Sequence, residues 1–188
     1  MPSKSHQSER AGKVIDFIEA RCVAMRARCD LVGDLPPCFF PYMHPGDEDW
    51  RPRYAVYNQP GEYHNGGVWS FICGFYVAAC IAAGRLELAQ RKLEALAVIV
   101  KPWHEDECEW GFNEQLRAQT GEPIGRDWQT WSAAMFIYAC ECVSTECNSI
   151  FRRIAGELRG STLNEGGRSP SAVRLAALAA LSYTSCFR

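Results

Sequence analysis

The sequence has almost no charge excess. Its 20 Lys and Arg stand against 22 Asp and Glu over 188 residues, a formal net charge of −2 with both signs scattered. That excludes the basic footprint of a nucleic-acid binder or of a protein drawn to an anionic membrane. There are ten cysteines but no Cys-x-x-Cys, so a zinc site has little support. On a helix, Cys140 and Cys142 would point roughly 200° apart and could not easily share a metal. Cys73 and Cys80 fall on one helical face and read as small buried hydrophobes. Met1 to Gln7 is polar, without the apolar core of a signal peptide. Reduced thiols and a cytoplasmic compartment are therefore expected. Val68 to Ala83 carries no charge, but it is slightly short for a membrane span and a plainly water-soluble helix follows it. The length suits about one domain with a sizeable core.

What is present is a succession of helices and aromatic loops. Residues 9–29 predict a helix with Val14, Phe17, Ile18, Cys22 and Met25 on its apolar face. From Asp30 to Asn58, repeated Pro and Gly forbid a long helix, and Phe, Tyr and Trp argue for an ordered loop. A second helix is expected from about Gly66 to Ala83, capped by Asn65 and buried all round. Gly84 stops it. Arg85 to Val100 predicts an outer amphipathic helix: Leu86, Ala89, Leu93, Leu96 and Val100 form the stripe, while Arg85, Glu87, Arg91 and Lys92 face out. This makes an αα-hairpin of the kind that builds helical toroids. Residues 103–126 form a second aromatic loop. Asp127 can cap a last inner helix from about Trp128 to Cys147, packed on the 68–83 helix. Beyond it, 149–188 reads as a linker followed by a short Ala/Leu helix.

Two stretches concentrate functional chemistry. The first, Gly61-Glu62-Tyr63-His64-Asn65-Gly66-Gly67-Val68-Trp69, puts an imidazole, an amide, a carboxylate and aromatic faces on a glycine-rich turn. Flat faces and directional hydrogen bonds suit a polyol such as a sugar. The second runs through Trp110-Gly111-Phe112-Asn113-Glu114 and Thr120-Gly121-Glu122-Pro123-Ile124-Gly125 to Trp128-Gln129-Thr130-Trp131-Ser132. Taken singly, Glu114 would be an ordinary solvated carboxylate and His64 a backbone-bonded buried histidine. Trp128 and Trp131 share a helical face, where core packing competes with sugar stacking. Neither stretch implies a cofactor or a metal.

Together, Tyr63-His64-Asn65-Gly66-Gly67-x-Trp69 and Glu114…Thr120-Gly121…Gly125…Gln129-Thr130-Trp131-Ser132 resemble the six-hairpin, or (α/α)6-barrel, glycoside hydrolases over about residues 10–145. The likeness is strongest to glycogen-debranching (amylo-α-1,6-glucosidase-like) proteins and to the alkaline and neutral invertases. It implies an all-α partial toroid, with residues 1–148 as its C-terminal part. It also implies an inverting hydrolase of α-glucan or sucrose-type substrates with Glu114 as general base. Tyr63, His64, Asn65, Trp69, Trp110, Gln129 and Trp131 would line the sugar. Inversion needs a second carboxyl group as acid, about 6.5–9.5 Å from the base.

The sequence departs from the family in two respects. Ser70 stands where a Pro usually follows the motif's Trp. The chain also supplies only about half of six hairpins, and the general acid belongs to the other half. Asp34, Asp47, Asp49 and Glu62 are the carboxylates nearest the first motif, and each reads better as a surface or capping group. The partners implied are a carbohydrate and a complementary N-terminal half-barrel. A non-catalytic sugar-binding or remnant helical domain is the other reading.

Overall fold

A computed structural model describes residues 4–100 and 111–147, with side chains from residue 9 onward. The expected roles of Trp110 and of the 149–188 tail fall outside those residues. The described chain is all-α apart from one small hairpin: α1 (Lys4–Ala27), α2 (Tyr54–Tyr57), α3 (Ser70–Ala82), α4 (Leu86–Ile99), β1 (Gln115–Leu116), β2 (Pro123–Ile124) and α5 (Thr130–Ser144).

The αα-hairpin forms as the sequence predicts. Gly84 takes φ +73°, its N–H bonds to the Ile81 carbonyl, and the N–H of Arg85 bonds to Cys80. These bonds satisfy the last carbonyls of α3 and turn the chain into α4. α3 packs on both α5 and α4, and α4 also touches α5. The α3–α5 approach is close because Gly74 has no side chain: a Cβ there would lie 2.7 Å from the Met135 carbonyl oxygen. Two apolar clusters result. One joins the end of α1 and the 31–42 loop to Leu96, Val100, Phe112 and Phe136. The other gathers Ile15, the second half of α3, Ala89, Ala139 and Cys142.

Four expectations are corrected. α3 begins at Ser70, with Trp69 as a cap residue that makes no side-chain cap bond, so Asn65 caps nothing. α5 likewise begins later than expected, at Thr130, with Gln129 at its cap position making no side-chain cap bond. α3 is not buried all round: α4 and α5 cover one side and leave Phe75 49% exposed. On α1, Val14 and Phe17 are exposed, and the inward face is Gly12, Ile15, Cys22 and Met25.

Lys92 is the largest departure. It was expected to face out, yet its side chain is fully buried. Its ammonium lies 2.9 Å from both Glu19 and Asp34 and also donates to the Asp34 carbonyl at 2.9 Å. Arg26 and Arg91 bind the same Asp34 carboxylate, and the Tyr76 hydroxyl donates to Glu19. A charge this deep persists only where it is paired and hydrogen-bonded. The network ties α1, the 31–42 loop, α3 and α4 together.

Candidate functional site

The two motif stretches, about 50 residues apart in sequence, lie side by side. Val68 and Leu116 exchange both backbone hydrogen bonds at 2.9 Å, and the N–H of Ala118 bonds to Gly61. Between these rungs the buried Gln115 amide oxygen accepts the Tyr63 N–H at 2.6 Å. Gly67 makes room for it, because any Cβ there would collide with that amide oxygen and with the Tyr63 backbone. Gly66, at φ +109°, turns the chain where a side chain would strike the Tyr42 ring. Arg117 closes the seam by pairing with Glu62 at 2.7 Å and with Glu122 at 2.6 Å.

This seam presents an aromatic ladder at the start of α3 and α5. His64 stacks on Trp69, with ring centroids 5.6 Å apart and planes 7° apart, and Tyr63 lies 4.0 Å from His64. Trp69 meets Phe71 edge-on, and Phe71 meets Trp131. Tyr63 and Trp128 both hold positive φ, +45° and +60°. Such left-handed backbone at non-glycine residues costs on the order of 1–3 kcal/mol and gathers at functional loops.

The expected sugar-lining residues divide into exposed and enclosed groups. His64 and Trp131 are exposed, and Tyr63 is half-buried. Asn65 is 1% exposed, and its amide is engaged within the chain: the oxygen accepts the Met43 N–H, and the nitrogen donates to the Met43 and Asn58 carbonyls. Trp69 is 6% exposed and donates its indole N–H to the Tyr63 carbonyl. Both were expected to touch sugar; in the structure both are enclosed by their own chain and support the residues that are open. Gln129 sits at the α5 cap, its N–H bonded to the Phe112 carbonyl and its amide 3.5 Å from the Arg126 carbonyl.

Glu114 stands one residue before Gln115, and its side chain goes elsewhere. Its carboxylate accepts the Arg126 N–H at 3.1 Å and lies against Gly125, where a Cβ would come within 2.6 Å of it. The backbone N–H of Glu114 bonds to the Arg126 carbonyl. One carboxylate oxygen is thus oriented by backbone. Neighbouring Asn113 is buried and donates to Asp127 at 2.5 Å.

The four carboxylates weighed beside the first motif differ in their surroundings. Burial would raise Asp34, but the hydrogen bonds and charges of Lys92, with Arg26 and Arg91, more than offset it and hold the group below its ordinary value. Glu62 is spent on Arg117, Asp47 accepts the His44 N–H in a turn, and Asp49 is exposed. Among the described residues no cluster could hold a metal ion, and no helix is long and apolar enough to cross a membrane. The eight described cysteines are free thiols.

The local reading of the sequence missed Gln115 and Arg117. Nothing distinguishes a strand glutamine beside a candidate base from a surface residue. The Glu62–Arg117 pair leaves only complementary charge as a trace. Among the described residues, neither the cavity lined by Phe17, Arg21 and Tyr42 nor the one lined by Val32, Val98 and Leu116 includes Glu114 or His64. Among the described residues the candidate site is a shelf on which His64 and Trp131 are exposed.

The profile of the alkaline and neutral invertase family matches residues 5–145. The chain is 32% identical over 139 residues to the probable alkaline/neutral invertase D of Arabidopsis thaliana, covering 70% of this chain and 23% of that protein. It is 37% identical over 138 residues to neutral/alkaline invertase 1, mitochondrial, of Oryza sativa subsp. japonica, covering 68% and 19%. It is 34% identical over 120 residues to alkaline/neutral invertase C, mitochondrial, of Arabidopsis thaliana, covering 58% and 16%. The chain thus spans less than a quarter of the length of these relatives. They are named as invertases, so the likeness narrows to that branch and leaves glycogen debranching without support. The match takes in both motifs and most of the sequence: the chain belongs to the alkaline and neutral invertase family.

Proposed function

We propose that residues 1–148 are the C-terminal part of a six-hairpin glycoside-hydrolase domain acting on a sucrose-type substrate with inversion. The family match, which ends at residue 145, supports that boundary. Glu114 is the general base: it takes a proton from water as the water attacks the anomeric carbon. The general acid, which protonates the leaving oxygen, comes from a complementary N-terminal part. Tyr63, His64 and Trp131 offer faces and polar edges to the sugar, while Asn65, Trp69 and Gln129 hold them in place. Free thiols fit a reducing compartment, the cytoplasm foremost.

The observation that carries this reading is the Tyr63–Gln115 hydrogen bond. It brings the strand that follows Glu114 against the loop bearing the aromatic ladder. A non-catalytic sugar-binding or remnant helical domain is the second reading, favoured by the engagement of Asp34, Asp47 and Glu62 in bonds within the chain.

The experiment is release of glucose and fructose from sucrose by the chain alone, by the chain mixed with the N-terminal remainder of an alkaline/neutral invertase, and by that mixture carrying Glu114→Gln. The chain alone is expected to be inactive and the mixture active. Glu114→Gln should remove at least about a hundredfold of the rate while keeping sugar binding. Robust turnover by the chain alone sinks the two-part assignment. A mixture that binds sucrose without turnover selects the second reading.

A further inference from the structure

A cavity of about 420 Å³ lies between α1 and the 40–44 segment, apart from the shelf. Its size falls within the range of small-molecule sites, about 300–1,000 Å³. Its floor is apolar: Phe17 and Phe40 pack with centroids 6.2 Å apart, beside Met25 and the ring of Tyr42. Its rim is cationic. The Arg21 guanidinium sits 5.0 Å above the Phe17 ring, one helical turn along α1, and has no carboxylate partner among the described residues. Arg28 also lines the cavity but is neutralised by Asp30 at 2.9 Å. The Tyr42 hydroxyl spends its proton on the Asp30 carbonyl. His44 also lines the cavity; its backbone N–H bonds to the Asp47 carboxylate and its carbonyl accepts the Asp47 N–H.

We propose that this cavity binds a small anion carrying an apolar ring face, with a sugar phosphate as the fitting class. Formal charge favours an anion: Arg21 and Arg28 outweigh Asp30. A guanidinium held over an aromatic ring presents parallel N–H groups, which match a phosphate or carboxylate in two-point contact. The C–H face of a pyranose, or a flat aromatic ring, then covers Phe17 and Phe40. Phe17 is 53% exposed, and such a ligand would take that surface from water. The 42–44 segment is the one that Asn65 clamps and Gly66 abuts, so cavity and first motif share a wall.

The test is calorimetric titration of the full chain with glucose 6-phosphate, benzoate, glucose and inorganic phosphate. Glucose 6-phosphate is expected to bind, with glucose and inorganic phosphate each at least about tenfold weaker, because each offers half of the recognition. Benzoate separates a sugar phosphate from an aromatic acid as the source of the ring. Arg21→Ala should weaken binding at least about tenfold, and Phe17→Ala several-fold. Both side chains are exposed, so the fold survives either change, as circular dichroism will verify. Arg53→Ala removes a similar arginine, one that lies over Tyr54 and does not line this cavity, and should change nothing. Glu114→Gln should also leave binding intact, which keeps this result separate from the fate of the sucrose shelf. Three results overturn the proposal: no binding of glucose 6-phosphate or benzoate at millimolar concentration, unchanged binding by Arg21→Ala, or inorganic phosphate binding as tightly as the ring-bearing anions.

Discussion

The amide oxygen of Gln115 accepts the backbone N–H of Tyr63 at 2.6 Å, and Tyr63 holds a left-handed φ of +45°. A residue in that conformation needs outside support. Gln115 supplies it from the neighbouring strand, together with the Cys38 thiol and the Trp69 indole, which both donate to the Tyr63 carbonyl. Gln115→Leu keeps similar bulk and removes the acceptor. It should destabilise the chain by about 1–3 kcal/mol, read as a lower urea midpoint with an unchanged slope. A midpoint equal to wild type would mean that the seam holds without this bond.

Gly74 is where α3 meets α5. A methyl group there would be 2.7 Å from the Met135 carbonyl oxygen and 3.0 Å from the Met135 Cβ. Alanine favours a helix over glycine by about 1 kcal/mol, so on an open helix Gly→Ala would stabilise. Here the clash wins, because the obstacle is backbone and cannot rotate away. Gly74→Ala should lower the thermal midpoint, with a net loss of about 1–3 kcal/mol. A raised midpoint would show that the helices separate easily.

The hairpin was legible because its signals are local. An uncharged run, a glycine stop and a striped run are all read within one window, and α3 and α4 follow them. The pairing of the two motifs was legible only through the family resemblance. Lys92 was misread because period alone sends a lysine beside Arg91 to solvent. Its partners Glu19 and Asp34 lie more than fifty residues away, and no local pattern predicts that closure. α1 was misread for another reason: apolar residues occur on several of its faces, so the inward one is selected by tertiary packing. Asn65 looked like a cap because asparagine bonds backbone readily. It does so here, to Met43 and Asn58 and not to a helix end.

The Asp34 network makes stability depend on pH in a predictable direction. Its folded pKa lies below the ordinary 3.8. The unfolded chain therefore binds a proton first as pH falls. The stabilisation is fully present above about pH 5, declines as pH falls through 3.8, and is lost below the folded value. Asp34→Asn should be less stable at pH 7 and show a shallower loss between pH 5 and pH 3 in urea titrations. Parallel curves for the two proteins would remove Asp34 as the source.

Thiol reactivity should sort by burial. Burial pushes the Cys22 and Cys80 thiols up to about 11 and that of Cys140 to about 12, and Cys73 is raised further. Cys29 is exposed. Because the thiolate is the reactive form, iodoacetamide at pH 8 should modify Cys29 well before these four, which should wait for denaturant. Peptide mapping by mass spectrometry against time reads the order. Early labelling of Cys73 would indicate that α3 opens readily.

Trp69 stands at the cap position of α3 and Trp131 in the first turn of α5, and the structure separates their roles. Trp69 is 6% exposed, stacked under His64 and bonded to Tyr63; Trp131 is 52% exposed and touches Phe71 by an edge. Trp69→Ala should therefore act on folding, costing about 3–5 kcal/mol as a large core truncation. Trp131→Ala should leave the denaturation midpoint nearly unchanged, since an exposed side chain adds little to the core. Its effect should be on sugar, because an open indole face is what a pyranose or furanose ring can cover. In a mixture with the complementary N-terminal part, Trp131→Ala should weaken sucrose binding roughly tenfold without loss of folded protein, measured by fluorescence titration beside a urea curve. A Trp131→Ala protein that binds as wild type would take this tryptophan out of the shelf and leave Tyr63 and His64 to hold the sugar.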